Sequence, residues 1–236
     1  MVFDKNRILV GLTLVFVIGI SFFLKLDLYL YIIIFSMILF DLYKSNFFNN
    51  YKYIFFLGVI LVLFSIYTYF GYSIKIISYL VIFSVLISLF FSSYIRILFI
   101  LNLCFFLLIL FSILIDNRSF FYFIIFISFF NDTFAYLFGK SIGGPLILPS
   151  ISPNKTWSGT LISLLLSTIL IYQFNFSLFI CLILSSSLFL GDLYFSYIKR
   201  TLKLKDFSNI LPGHGGILDR IDSIFLITIF YSIIQI

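Results

Sequence analysis

The sequence contains no glutamate, a single histidine and few charged residues of any kind. Its 236 residues include 15 Lys or Arg, so that only 10% of the chain is charged while 63% is hydrophobic. A soluble domain carries charge on about a quarter of its residues. The scarcity of charge excludes a water-soluble fold and predicts an all-α, polytopic integral membrane bundle.

Other common features are also scarce. The two cysteines, Cys104 and Cys181, lie far apart in apolar runs, which argues against a disulfide or a metal-binding pair. The net charge is +6, but the basic residues follow the predicted membrane topology, so no nucleic-acid partner is expected. The first apolar run has no small-residue cleavage site, and we interpret it as a retained helix rather than a signal peptide.

Clusters of charged residues or of Asn, Pro and Gly divide the chain into nine candidate membrane helices. Their lengths of about 15–23 residues suit a bilayer core of about 30 Å. The weakest break lies at Lys25 and Asp27, between the first two helices. The predicted helices span residues 8–24, 26–41, 54–70, 76–94, 97–115, 119–139, 159–173, 177–199 and 217–236.

The basic residues are distributed unequally between the two sides of this predicted bundle. Eleven of the 15 Lys and Arg residues share a side with the loop at 200–216. Only Lys25, Lys75 and Arg118 lie on the opposite side, and Arg220 lies inside the last helix. Because Lys and Arg are enriched in cytoplasmic loops, we predict that this loop and the N-terminus are cytoplasmic.

Four aspartates within the predicted helices lie close to that cytoplasmic face. A carboxylate in lipid is costly unless it is paired or solvated, so their convergence predicts a polar cavity open to the cytoplasm. The last two also fit ordinary first-turn acids that favour the helix dipole. Carboxylates without nearby His or Cys pairs suit Mg²⁺ better than zinc. The four are Asp132, Asp192, Asp219 and Asp222.

Segment 196–223 contains eight of the charged residues and the only histidine, His214. Gly213, Gly215 and Gly216 surround that histidine and would let backbone amides approach an anion at a helix N-terminus. A plain turn explains such a glycine loop equally well.

The loop at 140–158 is the second polar segment. Ser152, Lys155 and Thr156 precede a helix, where they would bind phosphate, although an interfacial loop with Trp157 as its anchor remains an alternative. Basic residues, a glycine loop and paired acids on one membrane side together indicate a membrane enzyme acting on a phosphorylated compound.

At these residues the sequence resembles the phosphatidate cytidylyltransferase family, also called CDP-diacylglycerol synthases. The family pattern reads S-x-x-K-R, K-D, L-P-G-H-G-G and D-R-x-D at fixed spacing. Segments 196–200, 205–206, 211–216 and 219–222 match it, and segments 131–136, 152–157 and 191–193 resemble further family motifs. The likeness covers about residues 128–223. Ser158 and Phe195 stand where the family usually has Glu.

The resemblance implies transfer of CMP from CTP to phosphatidic acid, which yields CDP-diacylglycerol and pyrophosphate. It implies Mg²⁺ as cofactor and leaves a second cation open. The partners would be CTP, phosphatidic acid and membrane lipid, and we expect a homodimer in the bacterial inner membrane with a cytoplasmic active site. Residues 1–118 would form N-terminal membrane helices and 119–236 the catalytic region of one integrated domain.

Site residues carry over from the resemblance position by position. The metal ligands would be Asp192, Asp219 and Asp222, and the basic catalytic residues that clamp phosphates would be Lys199, Arg200, Lys205 and Arg220. The substrate-binding residues would be Ser152, Lys155, Thr156, Asp132, Tyr136, Ser196, Gly213, His214, Gly215 and Gly216.

Three alternatives stay open on the sequence. A membrane transporter or channel would also place acids inside helices, but it would not need the basic and glycine-rich cluster beside them. A cytidylyltransferase for another phospho-lipid would share these motifs. Ser158 and Phe195 leave room for a catalytically inactive homologue.

Overall fold

Long apolar runs of Ile, Leu and Phe form helices in the computed structural model, which describes residues 13, 16–45, 74–91, 94–208 and 215–234. Residues 16–23 are helical. Seven further helices follow in this part of the chain, namely α1 (Asp27–Lys44), α2 (Ile74–Phe90), α3 (Ile95–Asp116), α4 (Arg118–Ile142), α5 (Trp157–Tyr172), α6 (Leu178–Thr201) and α7 (Leu218–Ile234).

The helices have the length and polarity of a membrane protein. Among the described residues α3, α4 and α6 are long and apolar enough to cross a bilayer, and α2 and α5 are shorter apolar helices. Large apolar side chains such as Phe83, Leu165 and Ile169 are more than half exposed at the bundle surface, where lipid rather than water suits them. The predicted integral membrane bundle is confirmed at this level, whereas the predicted helix at 54–70 lies outside the described residues.

The expectation of an all-α chain needs one correction. Strands β1 (Leu146–Leu148) and β2 (Ser152–Thr156) form a short antiparallel hairpin between α4 and α5, with Leu146 paired to Thr156. Helix α4 ends before the hairpin because Gly143 and Gly144 adopt positive φ angles of 70° and 117°, which are incompatible with a continued α-helix. The hairpin carries the predicted phosphate-binding residues on its second strand.

Side chains from the loops fix where several helices begin. The Asn117 side chain accepts a hydrogen bond from the Phe120 amide at the start of α4, and Thr156 accepts one from the Gly159 amide at the start of α5. Both are N-caps, which satisfy amides that the first helical turn leaves unpaired. The predicted break near Lys25 is confirmed, and Lys25 has a φ of 55°.

Glycine allows α6 and α7 to pack backbone against backbone. A side chain at Gly191 would collide with the carbonyl oxygen of Asp222, so only glycine permits this separation. Small residues allow the same close approach between membrane helices in general. Because Asp192 is the next residue, this contact brings it beside Asp222.

The opposite end of the bundle has its own polar contact. Arg118, at the start of α4, binds the carboxylate of Asp27 at 2.7 Å, and the Tyr122 hydroxyl donates to the same carboxylate at 2.7 Å. Arg118 also lies over the ring of Phe22, 4.7 Å from its centroid. These contacts tie residues 16–23, α1 and α4 together, far along the helices from the predicted site.

Candidate active site

Three helices bring four acidic residues together at one end of the bundle. Asp132 lies toward the C-terminal end of α4, Asp192 lies toward that of α6, and Asp219 and Asp222 lie in the first turns of α7. Because α7 runs in the opposite direction to α4 and α6, its start lies beside their C-terminal ends. The four acids therefore lie at the same end of the bundle, as the sequence predicted. Asp219 and Asp222 are buried, with 8% and 5% of their surfaces exposed.

Three of these acids, Asp132, Asp192 and Asp222, form what we call the carboxylate cluster. Asp192 follows Gly191, which packs against the carbonyl oxygen of Asp222, and Asp132 lies near Arg220, two residues before Asp222, so the three carboxylates lie in one part of the site. Like charges in a poorly solvated site repel strongly and need cations nearby.

The chain supplies its own cations to the carboxylate cluster. The Lys155 ammonium, from strand β2, donates a hydrogen bond to Oδ2 of Asp192. Nη1 of Arg220 lies 3.8 Å from Oδ2 of Asp132. The Ser196 hydroxyl adds a long hydrogen bond, 3.4 Å, to the other oxygen of Asp192. Residues from the hairpin, α4, α6 and α7 therefore meet here.

Asp219, the fourth of these acids, pairs with Lys199 of α6. Their Nζ and Oδ1 atoms are 2.7 Å apart, and 11% and 6% of the two side chains is exposed. The other oxygen of Asp219 accepts hydrogen bonds from the amides of Phe207 at 3.2 Å and Gly216 at 2.9 Å. Asp219 therefore joins α6 to the segments on either side of residues 209–214.

Gly215 and Gly216 pack directly against carboxylates of this chain. Gly215 has a φ of 75°, and a side chain there would lie 2.7 Å from an oxygen of Asp219. A side chain at Gly216 would collide with the carboxylate of Asp41. The two glycines are thus required by close contacts within the protein, and their approach to a substrate phosphate stays a prediction.

Sequence reasoning missed Asp41. This residue of α1 is completely buried, and its oxygens accept hydrogen bonds from the Ser208 hydroxyl at 2.6 Å and the Leu218 amide at 2.8 Å. Because it ends an apolar run, it resembles an ordinary interfacial acid. The available signal was its position, at the inner end of a predicted helix on the cytoplasmic side.

The other predicted residues that the structure describes include Tyr136 in α4, Arg200 in α6 and Lys205 after α6. Nε of Arg200 donates to the carbonyl oxygen of Ile151 at 3.1 Å, which links α6 to the hairpin. Lys205 is exposed after α6, and Tyr136 is exposed on α4 with its hydroxyl 3.4 Å from the Lys140 ammonium. The predicted residues Gly213 and His214 lie outside the described residues.

The two positions that depart from the family pattern have clear surroundings. The Ser158 hydroxyl donates to the carbonyl oxygen of Gly143, which fastens α5 to the end of α4. Phe195 is fully buried, with its ring 5.1 Å from that of Phe99 and 5.5 Å from that of Phe225. A carboxylate at 195 would therefore be buried among aromatic rings.

The chemistry of the carboxylate cluster fits a hard cation such as Mg²⁺, because it offers oxygen donors with interacting negative charges. Across the ranges that the structure describes, no three His, Cys or acidic side chains are already arranged as a metal site. Lys155 lies against Asp192 instead, so a cation would share or replace that contact. Asp219, with both oxygens engaged, is the less available of the predicted ligands.

Comparison with known proteins identifies relatives of the chain. The model of the cytidylyltransferase family matches residues 5–236. The phosphatidate cytidylyltransferase of Rickettsia bellii (strain RML369-C) is 43% identical over 111 residues, which cover 40% of this chain and 48% of the relative. That of Rickettsia conorii (strain ATCC VR-613 / Malish 7) is 39% identical over 125 residues, covering 44% and 53%.

A third relative has a similar degree of identity. The phosphatidate cytidylyltransferase of Staphylococcus aureus (strain COL) is 41% identical over 111 residues, which cover 43% of each chain. The chain therefore spans about half the length of the curated relatives it matches.

Proposed function

The chain belongs to the cytidylyltransferase family, and from that premise we propose that it transfers CMP from CTP to phosphatidic acid. The products are CDP-diacylglycerol and pyrophosphate. The relatives that carry the name phosphatidate cytidylyltransferase support this choice of lipid substrate. The proposal applies the activity in the relatives' names to a chain that spans about half of their length.

One observation carries the proposal. Three acidic and three basic side chains from four elements pair at a single end of the bundle, in a chain of which only 10% is charged. Joining two phosphate compounds requires their negative charges to be neutralised at one place. An arrangement of alternating acids and bases, next to the lipid phase, meets that requirement for a substrate with acyl chains.

The proposed reaction is an in-line substitution at phosphorus. A phosphate oxygen of phosphatidic acid attacks the α-phosphorus of CTP, and a new P–O bond forms. The bond between the α-phosphorus and the oxygen that bridges to the β-phosphate breaks, and both electrons leave with pyrophosphate. No oxidant or reductant is needed, and positioning and charge stabilisation supply the catalysis.

Basic residues have the clearest roles in this scheme. Lys199, Arg200, Lys205 and Arg220 would hold phosphate oxygens, with arginine able to bind two oxygens at once. Lys155, released from Asp192, would be available to the triphosphate. Ser152, Thr156, Asp132, Tyr136, Ser196, Gly213, His214, Gly215 and Gly216 would shape the substrate pocket around them.

Mg²⁺ would be held by Asp192 and Asp222, with Asp132 beside them and Asp219 as the further predicted ligand. When bound, it would neutralise phosphate charge. A second cation stays a prediction.

The finer topology is also proposed. Nine membrane helices with a cytoplasmic N-terminus would place this end of the bundle at the inner face of the bacterial inner membrane. That side holds most of the basic residues and has access to CTP. The homodimer stays a prediction, which chemical cross-linking in membranes would test.

The proposed activity is tested with the purified full chain, CTP labelled in the cytidine, phosphatidic acid and Mg²⁺. We expect a labelled lipid product with the mobility of CDP-diacylglycerol, and its loss when phosphatidic acid is omitted. Asp192→Asn should lower the rate at least about 100-fold, as expected for a residue that organises transition-state charge. Asp116→Asn, at the opposite end of the bundle, is the matched control and should keep full activity.

Different failures have different meanings. An intact wild-type protein that makes no lipid product would contradict the proposed activity. Equal rates for wild type and Asp192→Asn would leave the activity intact and contradict the role of the carboxylate cluster. Product formed faster from another phospho-lipid than from phosphatidic acid would contradict the assigned substrate.

A further inference from the structure

Asp41 joins three separate parts of the chain. It lies at the C-terminal end of α1, and one of its oxygens accepts a hydrogen bond from Ser208, just after α6. Its other oxygen accepts one from the amide of Leu218, the first residue of α7. We call Asp41 and Ser208 the loop anchor.

The loop anchor acts as an N-cap for α7 that comes from another helix. The first amides of a helix lack partners within the helix, and the helix dipole favours a negative group there. Asp41 meets both needs from α1. The position also has a cost, because the charge of Asp41 repels that of the neighbouring Asp219, and its hydrogen bonds offset this repulsion.

The contact has consequences for the proposed active site. Leu218, which the anchor holds, is followed directly by Asp219, and Asp219 binds Lys199. Gly216 is packed against Asp41 and donates its amide hydrogen bond to Asp219. Any shift of the N-terminus of α7 would therefore change the position of Asp219 relative to Lys199. It would also change the position of Asp222 relative to Asp192.

We propose that Asp41 is a positioning residue for the reaction. It holds the start of α7 so that Asp219 and Asp222 keep their places relative to α6. This inference rests on the proposed function of the same site. It assigns a part in catalysis to α1, outside the region that carries the family motifs.

Two substitutions separate the hydrogen bonds of Asp41 from its charge. In Asp41→Asn the amide oxygen accepts from the Leu218 amide, and the amide nitrogen donates to the Ser208 hydroxyl, which can serve as donor or acceptor. Asp41→Ala removes both bonds. If the loop anchor acts by positioning, the Asn variant should have nearly the hydrogen exchange and kcat of wild type. The Ala variant should differ from wild type in both.

The first measurement is hydrogen exchange of the full chain in lipid nanodiscs, which does not depend on activity. We expect Asp41→Ala to speed exchange at residues 216–222 at least about tenfold, since it removes the cap. Asp41→Asn should stay within about threefold of wild type. Asp116→Ala, which removes an exposed acid at the other end of the bundle, is the control and should change nothing at these residues.

The second measurement is steady-state formation of CDP-diacylglycerol. Asp41→Ala should lower kcat about tenfold or more and change the KM for CTP less than about threefold, because small displacements at a reacting centre reduce the rate strongly. Asp41→Asn should restore kcat to within about threefold of wild type.

Wild-type exchange and wild-type kcat in Asp41→Ala would overturn the proposal, and so would an Asn variant as impaired as the Ala variant. If Asp41→Ala does not fold, Asp41→Ser decides, because a single hydroxyl oxygen cannot make both the Ser208 and the Leu218 hydrogen bonds; unchanged exchange at 216–222 in that variant would equally overturn the proposal. A wild-type protein without lipid product would refute the proposed function alone, since the exchange measurement still decides whether Asp41 holds α7.

Discussion

The replacement of Lys199 by methionine tests the most buried ion pair of the site. Lys199→Met keeps the length and apolar stem of the side chain and removes only the ammonium group. It leaves Asp219 with two backbone amide donors, from Phe207 and Gly216, but without its cation. We expect a less stable protein that still folds, and a strongly reduced rate of lipid product formation.

The size of the effect follows from the geometry of the pair. At 2.7 Å and an effective dielectric constant of about 20, the attraction between two unit charges is about 6 kcal/mol, which is an upper bound. Removal of one partner of a buried pair leaves the other charge buried without its counter-ion, which costs about 3–5 kcal/mol. Because the two amides continue to stabilise the Asp219 carboxylate, we expect a loss near 3 kcal/mol.

Unfolding in mixed micelles, followed by loss of helical circular dichroism, measures this free energy. Lys203→Met is the matched control, because Lys203 is exposed just after α6 and loses the same group. Exposed substitutions usually change stability by less than about 0.5 kcal/mol. Activity measured on the same samples should fall at least about 100-fold for Lys199→Met and less than about threefold for the control.

A double variant isolates the pair itself. In Lys199→Met with Asp219→Asn, the amide oxygen still accepts from Phe207 and Gly216, and the charge at position 219 is removed together with its cation. Its stability should recover by about 1–2 kcal/mol relative to the single variant, while activity stays low. A Lys199→Met protein as stable as the Lys203→Met control, or a double variant less stable than the single one, would refute the reasoning.

Three further changes separate packing from chemistry. Gly191→Val should force α6 away from the carbonyl oxygen of Asp222 and abolish lipid product, and a variant of normal activity would contradict the close helix contact. Phe195→Glu should lower the free energy of unfolding by about 2 kcal/mol or more, since it buries a carboxyl group among aromatic rings, and an unchanged denaturation midpoint would be inconsistent with that packing. Arg118→Met should cost about 1 kcal/mol or less, because its pair with Asp27 is partly exposed, and should leave activity within about twofold. A large loss of activity in Arg118→Met would show that the two ends of the bundle are coupled.

The convergence of the acidic residues was predictable from the chain alone. Asp132, Asp192, Asp219 and Asp222 interrupt apolar runs near helix ends, and alternating helix directions place those ends at one membrane face. The unequal distribution of Lys and Arg indicated the same face. Both arguments need only the positions of the helix ends along the chain, and hydropathy locates those ends well.

The pairing within the site was not predictable, because it depends on how each helix is rotated about its axis. The membrane helices are apolar on all sides, so periodicity does not show which face of α6 meets α7. The contact at Gly191 sets that rotation, and it then directs Lys199 to Asp219 and leaves Asp192 to Lys155.

Asp41 and the hairpin escaped prediction for local reasons. Asp41 ends an apolar run, as interfacial acids do, and its partners Ser208 and Leu218 are more than 160 residues away along the chain. The hairpin at 146–156 is short, and its polar second strand lacks the alternation of apolar residues that marks a strand.

The central claim, transfer of CMP to phosphatidic acid, is tested most directly by the fate of two labels. The purified chain is incubated with phosphatidic acid and CTP that is radiolabelled at either the α- or the γ-phosphate. The proposed substitution predicts that the α label enters the lipid and that the γ label appears only in pyrophosphate, with one pyrophosphate for each lipid formed. Entry of the γ label into the lipid, or release of pyrophosphate without a labelled lipid, would contradict it.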